Sequence, residues 1–311
     1  MKLLLAFLLV NLFLINDPFA QTIYVAPNGS DQNPGTAEQP LATLTAARDR
    51  IRLLRKQNPS AQHAWQVIIR KGEYIMPETL NLSVDDSGTE TSPLLFKGEE
   101  GAMPVFYGGF FLNKFERISD SLWKTDVPQV RRYGWRFEQL YVNGSRAIRA
   151  QSPNVGFYKP VSVKETVIVN GDGRAPELAV QQIKIPAEAA NRIKNLNEED
   201  LKDAVITFYH HGDNTKKPVQ FYNAADTSIY ISGEGMKPWN PVTTASLFAI
   251  ENVSSALDAP GEWFLESSGT LYYYPKPGET IETTTAMAPA LDKFITLSGN
   301  AATGEKIQNI R

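Results

Sequence analysis

The chain has 311 residues, with 31 Lys+Arg against 34 Asp+Glu, a formal net charge of -3 and no Cys. Dispersed, slightly acidic charge argues against a nucleic-acid footprint or attraction to an anionic membrane surface. Without Cys there are no disulfides and no thiol chemistry, so the fold must rest on its core, and the length is enough for two domains.

In chain order, Lys2, an apolar run over residues 3–15 and then Asn16-Asp17-Pro18-Phe19-Ala20 have the layout of a secretory signal over residues 1–20. The run is shorter than the roughly 20 apolar residues that a membrane span needs. The expectation is export to the periplasm or the extracellular space, with no membrane association once the signal is removed. Residues 22–25 read as a strand, followed by a dense turn region to Thr36. There Asp31-x-Asn33-x-Gly35 resembles half a calcium loop but lacks the later bidentate acid, so Asx turns are favoured over a metal site. Leu44, Ala47, Ile51 and Leu54 then recur at helical spacing, with Arg48, Arg50 and Arg55 on the other face.

Short apolar runs follow at residues 67–69, 80–84, 94–96 and 105–107, starting about 11 to 14 residues apart and separated by Gly, Pro and Asp clusters. Strict alternation of Leu80, Leu82 and Val84 with Asn81 and Ser83 predicts one buried and one wet face. This is the spacing of a β-solenoid, whose turns must stack to bury their inner face. The predicted fold class is therefore all-β: the start of a right-handed parallel β-helix with an N-terminal capping helix, interrupted by an inserted antiparallel β-sandwich. The boundaries expected are residues 21–109 for the cap and first coils, 110–288 for the insertion, and 289–311 for the return to the coil.

Within the insertion, Asn143-Gly144 between two extended runs is a strong hairpin signal. Further strands are expected at 205–209, 219–222, 229–232, 247–253, 263–265 and 271–274. Two short helices are expected near 186–194 and 198–204, the second N-capped by Asn197. The chain stops inside strand-like Ile307-Gln308-Asn309-Ile310-Arg311, which predicts a truncated coil.

Tyr24-Val25-Ala26-Pro27-Asn28-Gly29-Ser30-Asp31, with Asn33-Pro34-Gly35-Thr36, resembles the opening of secreted right-handed parallel β-helix proteins of the pectate-lyase-like superfamily. Gln139-Leu140-Tyr141-Val142-Asn143-Gly144 with Arg146 and Arg149, Glu251-Asn252-Val253, and 257–265 are similar to the insertion domain of glycoside hydrolase family 141. That resemblance implies an exported enzyme acting on plant cell-wall polysaccharide, with its paired acids on later coils beyond Arg311. It implies a polysaccharide or oligosaccharide partner and carries over no catalytic residue, so the catalytic residues stay unknown; the sequence itself leads to the expectation of no cofactor and no metal. A polysaccharide lyase on the same coil, or a non-catalytic carbohydrate-binding or surface module, remains an alternative.

Glycoside hydrolysis needs two carboxyl groups, about 5 Å apart for retention and roughly 6.5 to 9.5 Å for inversion. Glu251, Asp258 and Glu262 are close in sequence but read as structural, with Asp258 bonding to turn backbone. Asp85-Asp86-Ser87-Gly88 reads as a turn rather than an acid pair. His210-His211-Gly212-Asp213 lacks a third metal ligand at recognisable spacing, so its two readings are a structural or rim role and direct sugar contact. Among the five Trp residues, Trp239 between Pro238 and Asn240-Pro241 is the candidate sugar platform, while Trp263 reads as core. The candidate substrate-binding residues are therefore His210 and Trp239.

Overall fold

The computed structural model describes residues 21–59, 63–112 and 114–311. The leader expected over residues 1–20 lies outside them. The fold is mostly β, with four short α-helices among the described residues, none long and apolar enough to cross a membrane. The chain divides into two compact units, one made of the described residues up to Gly109 with Leu291–Arg311, the other of Phe110–Ala290.

Among the described residues of the first unit the pairs between strands are parallel, beside one isolated antiparallel bridge of Asn300 with Glu305. Gln21–Val25, Trp65–Ile69 and Leu94–Gly98 form one sheet, with Ile23 opposite Val67 and Val67 opposite Phe96. Glu73–Ile75 pairs with Val105–Tyr107, and Leu80–Leu82 with Ile295–Leu297. Gln21–Val25, Glu73–Ile75 and Leu80–Leu82 bury alternate side chains, as the period of two demands, whereas Trp65–Ile69 buries Val67, Ile68 and Ile69 in a row, and Val25, Val67, Leu80 and Leu94 are fully enclosed in one core.

The helix Leu44–Gln57 contributes Leu44, Ala47 and Ile51 to that core, and Thr43 caps it by accepting a hydrogen bond from the Ala46 amide. Its arginines are spent inside the unit. Arg52 grips buried Asp86 through two bonds of 2.8 and 2.6 Å, and Arg55 donates to the carbonyls of Asp85 and Ser87. Such a fork is the strong form of a guanidinium–carboxylate pair, and its hydrogen bond is the main cause that raises the Arg52 pKa.

Three local expectations need correction. The strand predicted to run to Val84 ends at Leu82, because the Ser83 side chain caps a 3-10 turn over Val84–Asp86 and Asp86 bonds back to the Ser83 amide. Asp31 is no simple local Asx turn. Its carboxylate receives the amides of Ala42 and Thr43 and the Thr43 hydroxyl, and so clamps the turn region to the start of the helix. The final segment forms a single parallel bridge, Leu94 to Ile310, rather than a strand.

The second unit has two cores. One lies between the sheet of Gln151–Ser152, Leu247–Glu251, Val205–Tyr209 and Asn214–Pro218 and the sheet of Ser162–Val169, Leu178–Lys184, Ser228–Gly233 and Phe221–Asn223. Phe208, Phe248 and Ile250 face Ile183, Ile229 and Ile231 there, all at 0% exposure, so two antiparallel sheets share one interior. The other core gathers Trp123, Phe137, Trp263, Leu271 and Tyr273 on a five-stranded sheet. That sheet is mixed, not purely antiparallel, since Ile148–Arg149 runs parallel to Glu262–Leu265.

The Asn143-Gly144 turn has φ of 49° and 76°, the double positive φ that a tight hairpin needs, and Tyr141 pairs with Arg146 across it. Asn197 caps Glu198–Asp203 by accepting from the amides of Glu199 and Asp200. The strand expected from Val219 begins only at Phe221. Among the elements unseen in the sequence are the helix Pro128–Tyr133, the hairpins Glu116–Ser119 with Leu122–Asp126 and Ser162–Val169 with Leu178–Lys184, and the strand Asn214–Pro218.

Candidate functional site: an aromatic groove and a charged cleft

The strand Val205–Tyr209 buries Ile206 and Phe208 and delivers the chain to a tight turn at its end. The turn closes through the His210 amide donating to the Asp213 carbonyl at 3.0 Å, with Gly212 at φ 89°, a conformation that favours glycine. Asp213 then accepts from Lys237 Nζ and from Asn240 Nδ2, each at 2.8 Å. Those two bonds bracket Trp239 in sequence, so one carboxylate ties the His turn to the Trp loop. The hydrogen bond from Lys237 is the main cause that holds the Asp213 carboxyl below its ordinary range.

Between the two loops lies an open cavity of about 440 Å³, lined by Tyr209, His210, His211, Trp239, Asn240 and Leu247 among others. His210 and Trp239, singled out separately in the sequence, line this same groove. Trp239 is 59% exposed, whereas Trp65, Trp123 and Trp263 are buried. His210 Nε2 bonds Thr215 Oγ1 at 3.0 Å, and burial pushes its pKa below the ordinary imidazole value. That shift favours the neutral ring, which is available for hydrogen bonding. A flat indole beside hydrogen-bonding side chains suits a ligand with one apolar face and a hydroxylated edge.

The three sequence-adjacent acids are committed to structure. Glu262 is 2% exposed and accepts from the amides of Asp258 and Ala259 at 2.9 Å each. Burial raises its pKa, against the pull of those two amides. Asp258 instead receives the side chains of Asn154 and Arg192. The carboxylate that holds the turn is thus Glu262, not Asp258, because Glu262 at the start of its strand faces back across the bend. Glu251 is buried and accepts from Thr207 Oγ1 at 2.5 Å and Lys216 Nζ at 3.4 Å. Among the described residues, no group of three or more His, Asp or Glu is placed to hold a metal ion.

A second cavity of about 340 Å³ is lined by Glu138, Arg146, Arg149, Asn214, Lys216 and Glu251 among others, and Tyr209 lines this one as well as the first. Sequence reasoning did not find it. Its charges come from four separate stretches of chain, and the visible hint was the Arg146-x-x-Arg149 pair beside the hairpin.

The sequence profile of the family described as GH141 insertion domain matches residues 120–276. The chain belongs to this family. His210, Trp239, Arg149 and Glu251 all lie inside the matched part of the GH141 insertion domain. A solved structure described as a glycoside hydrolase superposes with a TM-score of 0.75 at 25% identity, covering 94% of this chain and 49% of that one. The uncharacterized protein YwoF of Bacillus subtilis (strain 168) is 35% identical over 108 residues, 35% of this chain and 19% of its own length. The chain with its GH141 insertion domain therefore spans about half the length of the similar glycoside hydrolase and a fifth of the curated relative.

Proposed function

We propose that the chain is the N-terminal portion of an exported glycoside hydrolase acting on plant cell-wall polysaccharide. In this reading the insertion domain holds the glycan in the Trp239–His210 groove. The parallel pairs of the first unit are the opening coils of a right-handed β-helix, and the helix Leu44–Gln57 covers their end. Support for the enzyme class comes from the family match and the likeness to a glycoside hydrolase. Export rests on the layout of residues 1–20.

The acid pair is assigned to parts of the protein outside this chain's insertion domain. Glu251, Asp258 and Glu262 are each held by cations, amides or hydroxyls within the fold, and none is left free to face a scissile bond. What the domain contributes is position. A sugar ring laid on Trp239 gains contact on one face, while His210 and Asn240 can meet its hydroxyls, and fixing the chain in this way lowers the entropy cost of reaction.

The observation that carries this reading is the Asp213 clamp, which fixes an exposed indole and an imidazole around one groove. The test is native electrophoresis of the 311-residue chain through gels containing xylan or pectin, against gels without polysaccharide. Retardation is expected in at least one polysaccharide. Trp239→Ala should weaken binding by about 30-fold, from about 2 kcal/mol for loss of a central aromatic anchor. Unchanged mobility of the wild type in every plant cell-wall polysaccharide would count against the proposal.

A further inference from the structure

The cleft beside the groove has a charge arrangement that the fold alone does not use up. Its carboxylates are satisfied: Glu251 takes Thr207 and Lys216, and Glu138 takes the same lysine at 3.0 Å. Its guanidiniums are not. Arg149 has only 11% of its side chain exposed, yet its Nε and Nη1 have no hydrogen-bond acceptor, and its approach to Glu251 is 3.9 Å. Arg146 is exposed and lines the same cavity. With Lys216, three cationic side chains line the cleft against two carboxylates.

Burying a guanidinium without hydrogen bonds is costly. Here the desolvation is strong enough to lower the Arg149 pKa, with Glu251 as the main opposing influence. The side chain is held in place by the face of Trp263, whose ring centre lies 5.7 Å from the guanidinium carbon. A cation fixed by stacking, with its donors unspent, is preorganised for an anion that brings its own acceptors.

We propose that this cleft is a subsite for the carboxylate of an acidic sugar residue in the bound glycan. The inference rests on the reading that the insertion domain holds glycan. Tyr209 lines both cavities, so a chain of sugars lying against Trp239 can extend into the cleft without leaving the surface. At the cleft, a uronate carboxylate accepts from Arg149 and Arg146, while Gln151 and Asn214 offer neutral partners to ring hydroxyls. A neutral sugar brings no charge to match the excess cation, so the cleft discriminates by charge rather than by shape.

Calorimetric titration of the whole chain tests this with two acidic probes, hexagalacturonate and a glucuronic-acid-substituted xylo-oligosaccharide, each against its methyl ester. The ester keeps the sugar backbone and removes the charge. At low salt at least one acid form should bind about 10-fold tighter than its ester. That preference should vanish in Arg149→Lys, which keeps charge but not the fork, and shrink in Arg146→Gln, an exposed change that leaves the core untouched. Should Arg149→Lys fail to fold, Arg146→Gln decides. Trp239→Ala should weaken acid and ester alike.

Equal binding of acid and ester by the wild type, no binding of either pair, or a preference that survives in Arg146→Gln and in any folded Arg149→Lys, overturns the inference. Equal binding that still depends on Trp239 leaves the groove reading standing. An acid preference whose acid and ester affinities are both unchanged in Trp239→Ala sinks the groove reading and keeps the cleft.

Discussion

The two units close their sheets by different means. In the first, the pairs between strands are parallel among the described residues, and Leu80–Leu82 pairs with Ile295–Leu297, with Thr296 Oγ1 donating to Asn81 Oδ1 across 215 residues of sequence. In the insertion domain most pairs are antiparallel, between neighbours such as Val205–Tyr209 and Asn214–Pro218 or between distant strands such as Leu122–Asp126 and Thr270–Tyr273, and among the described residues both cores draw only on Phe110–Ala290. Parallel pairing requires a long crossover, so the first unit depends on chain from both sides of the insertion, and Leu291, Ile307 and Ile310 pack on its core. The insertion domain needs no such return. A domain that supplies its own interior can carry exposed features on its hairpin turns, and the His210–Asp213 turn is one of them.

The strongest way to break this comparison is a pair of core truncations. Phe208 and Leu80 are both at 0% exposure, one in each unit. Phe208→Ala should cost about 3 to 5 kcal/mol and Leu80→Ala about 2 to 5 kcal/mol, and in scanning calorimetry each should lower a different transition. If both lowered one shared transition equally, the units would not be separate energetic bodies.

A smaller effect sharpens the account of the turn at Asp258. The folded pKa of Glu262 lies above the ordinary carboxylate value because burial disfavours its charge. Its contribution to stability is therefore fully present below the ordinary carboxylate pKa and is lost as pH rises through the raised folded value. Glu262→Gln keeps an oxygen for the Asp258 and Ala259 amides and removes the charge. Urea unfolding between pH 4 and 8 should show this variant within about 1 kcal/mol of the wild type at pH 7, with a flatter pH profile. Glu262→Ala leaves two amides without their acceptor and should lose about 1 to 3 kcal/mol at every pH. A Glu262→Gln variant as damaged as Glu262→Ala would show that the charge itself holds the turn.

What the sequence made legible was local. Three- and four-residue spacing of Leu44, Ala47, Ile51 and Leu54 marked the helix, Asn143-Gly144 marked its hairpin, and Asn197 its cap. Proline on both sides of the Trp239-Asn240 pair pointed to an exposed indole, and the side chain is exposed. What stayed hidden needed partners distant in sequence. Ser162–Val169 is mostly exposed and shows no apolar alternation, so nothing but its pairing with Leu178–Lys184 marks it as a strand. The exchange of roles between Asp258 and Glu262 depends on which carboxylate faces the bend. The charged cleft is assembled from Glu138, Arg149, Lys216 and Glu251, whose proximity only the folded sheets create.

The central claim is that a glycan lies against Trp239, and indole fluorescence reads it directly. Trp65, Trp123 and Trp263 are buried and Trp135 is half-buried, so Trp239 at 59% exposure should dominate quenching by acrylamide. Saturating the chain with the polysaccharide that retards it in gels should shift emission to the blue and protect it from acrylamide. Trp239→Phe should abolish both changes. A blue shift of the same size in Trp239→Phe, or an unprotected wild type at saturation, would contradict the account.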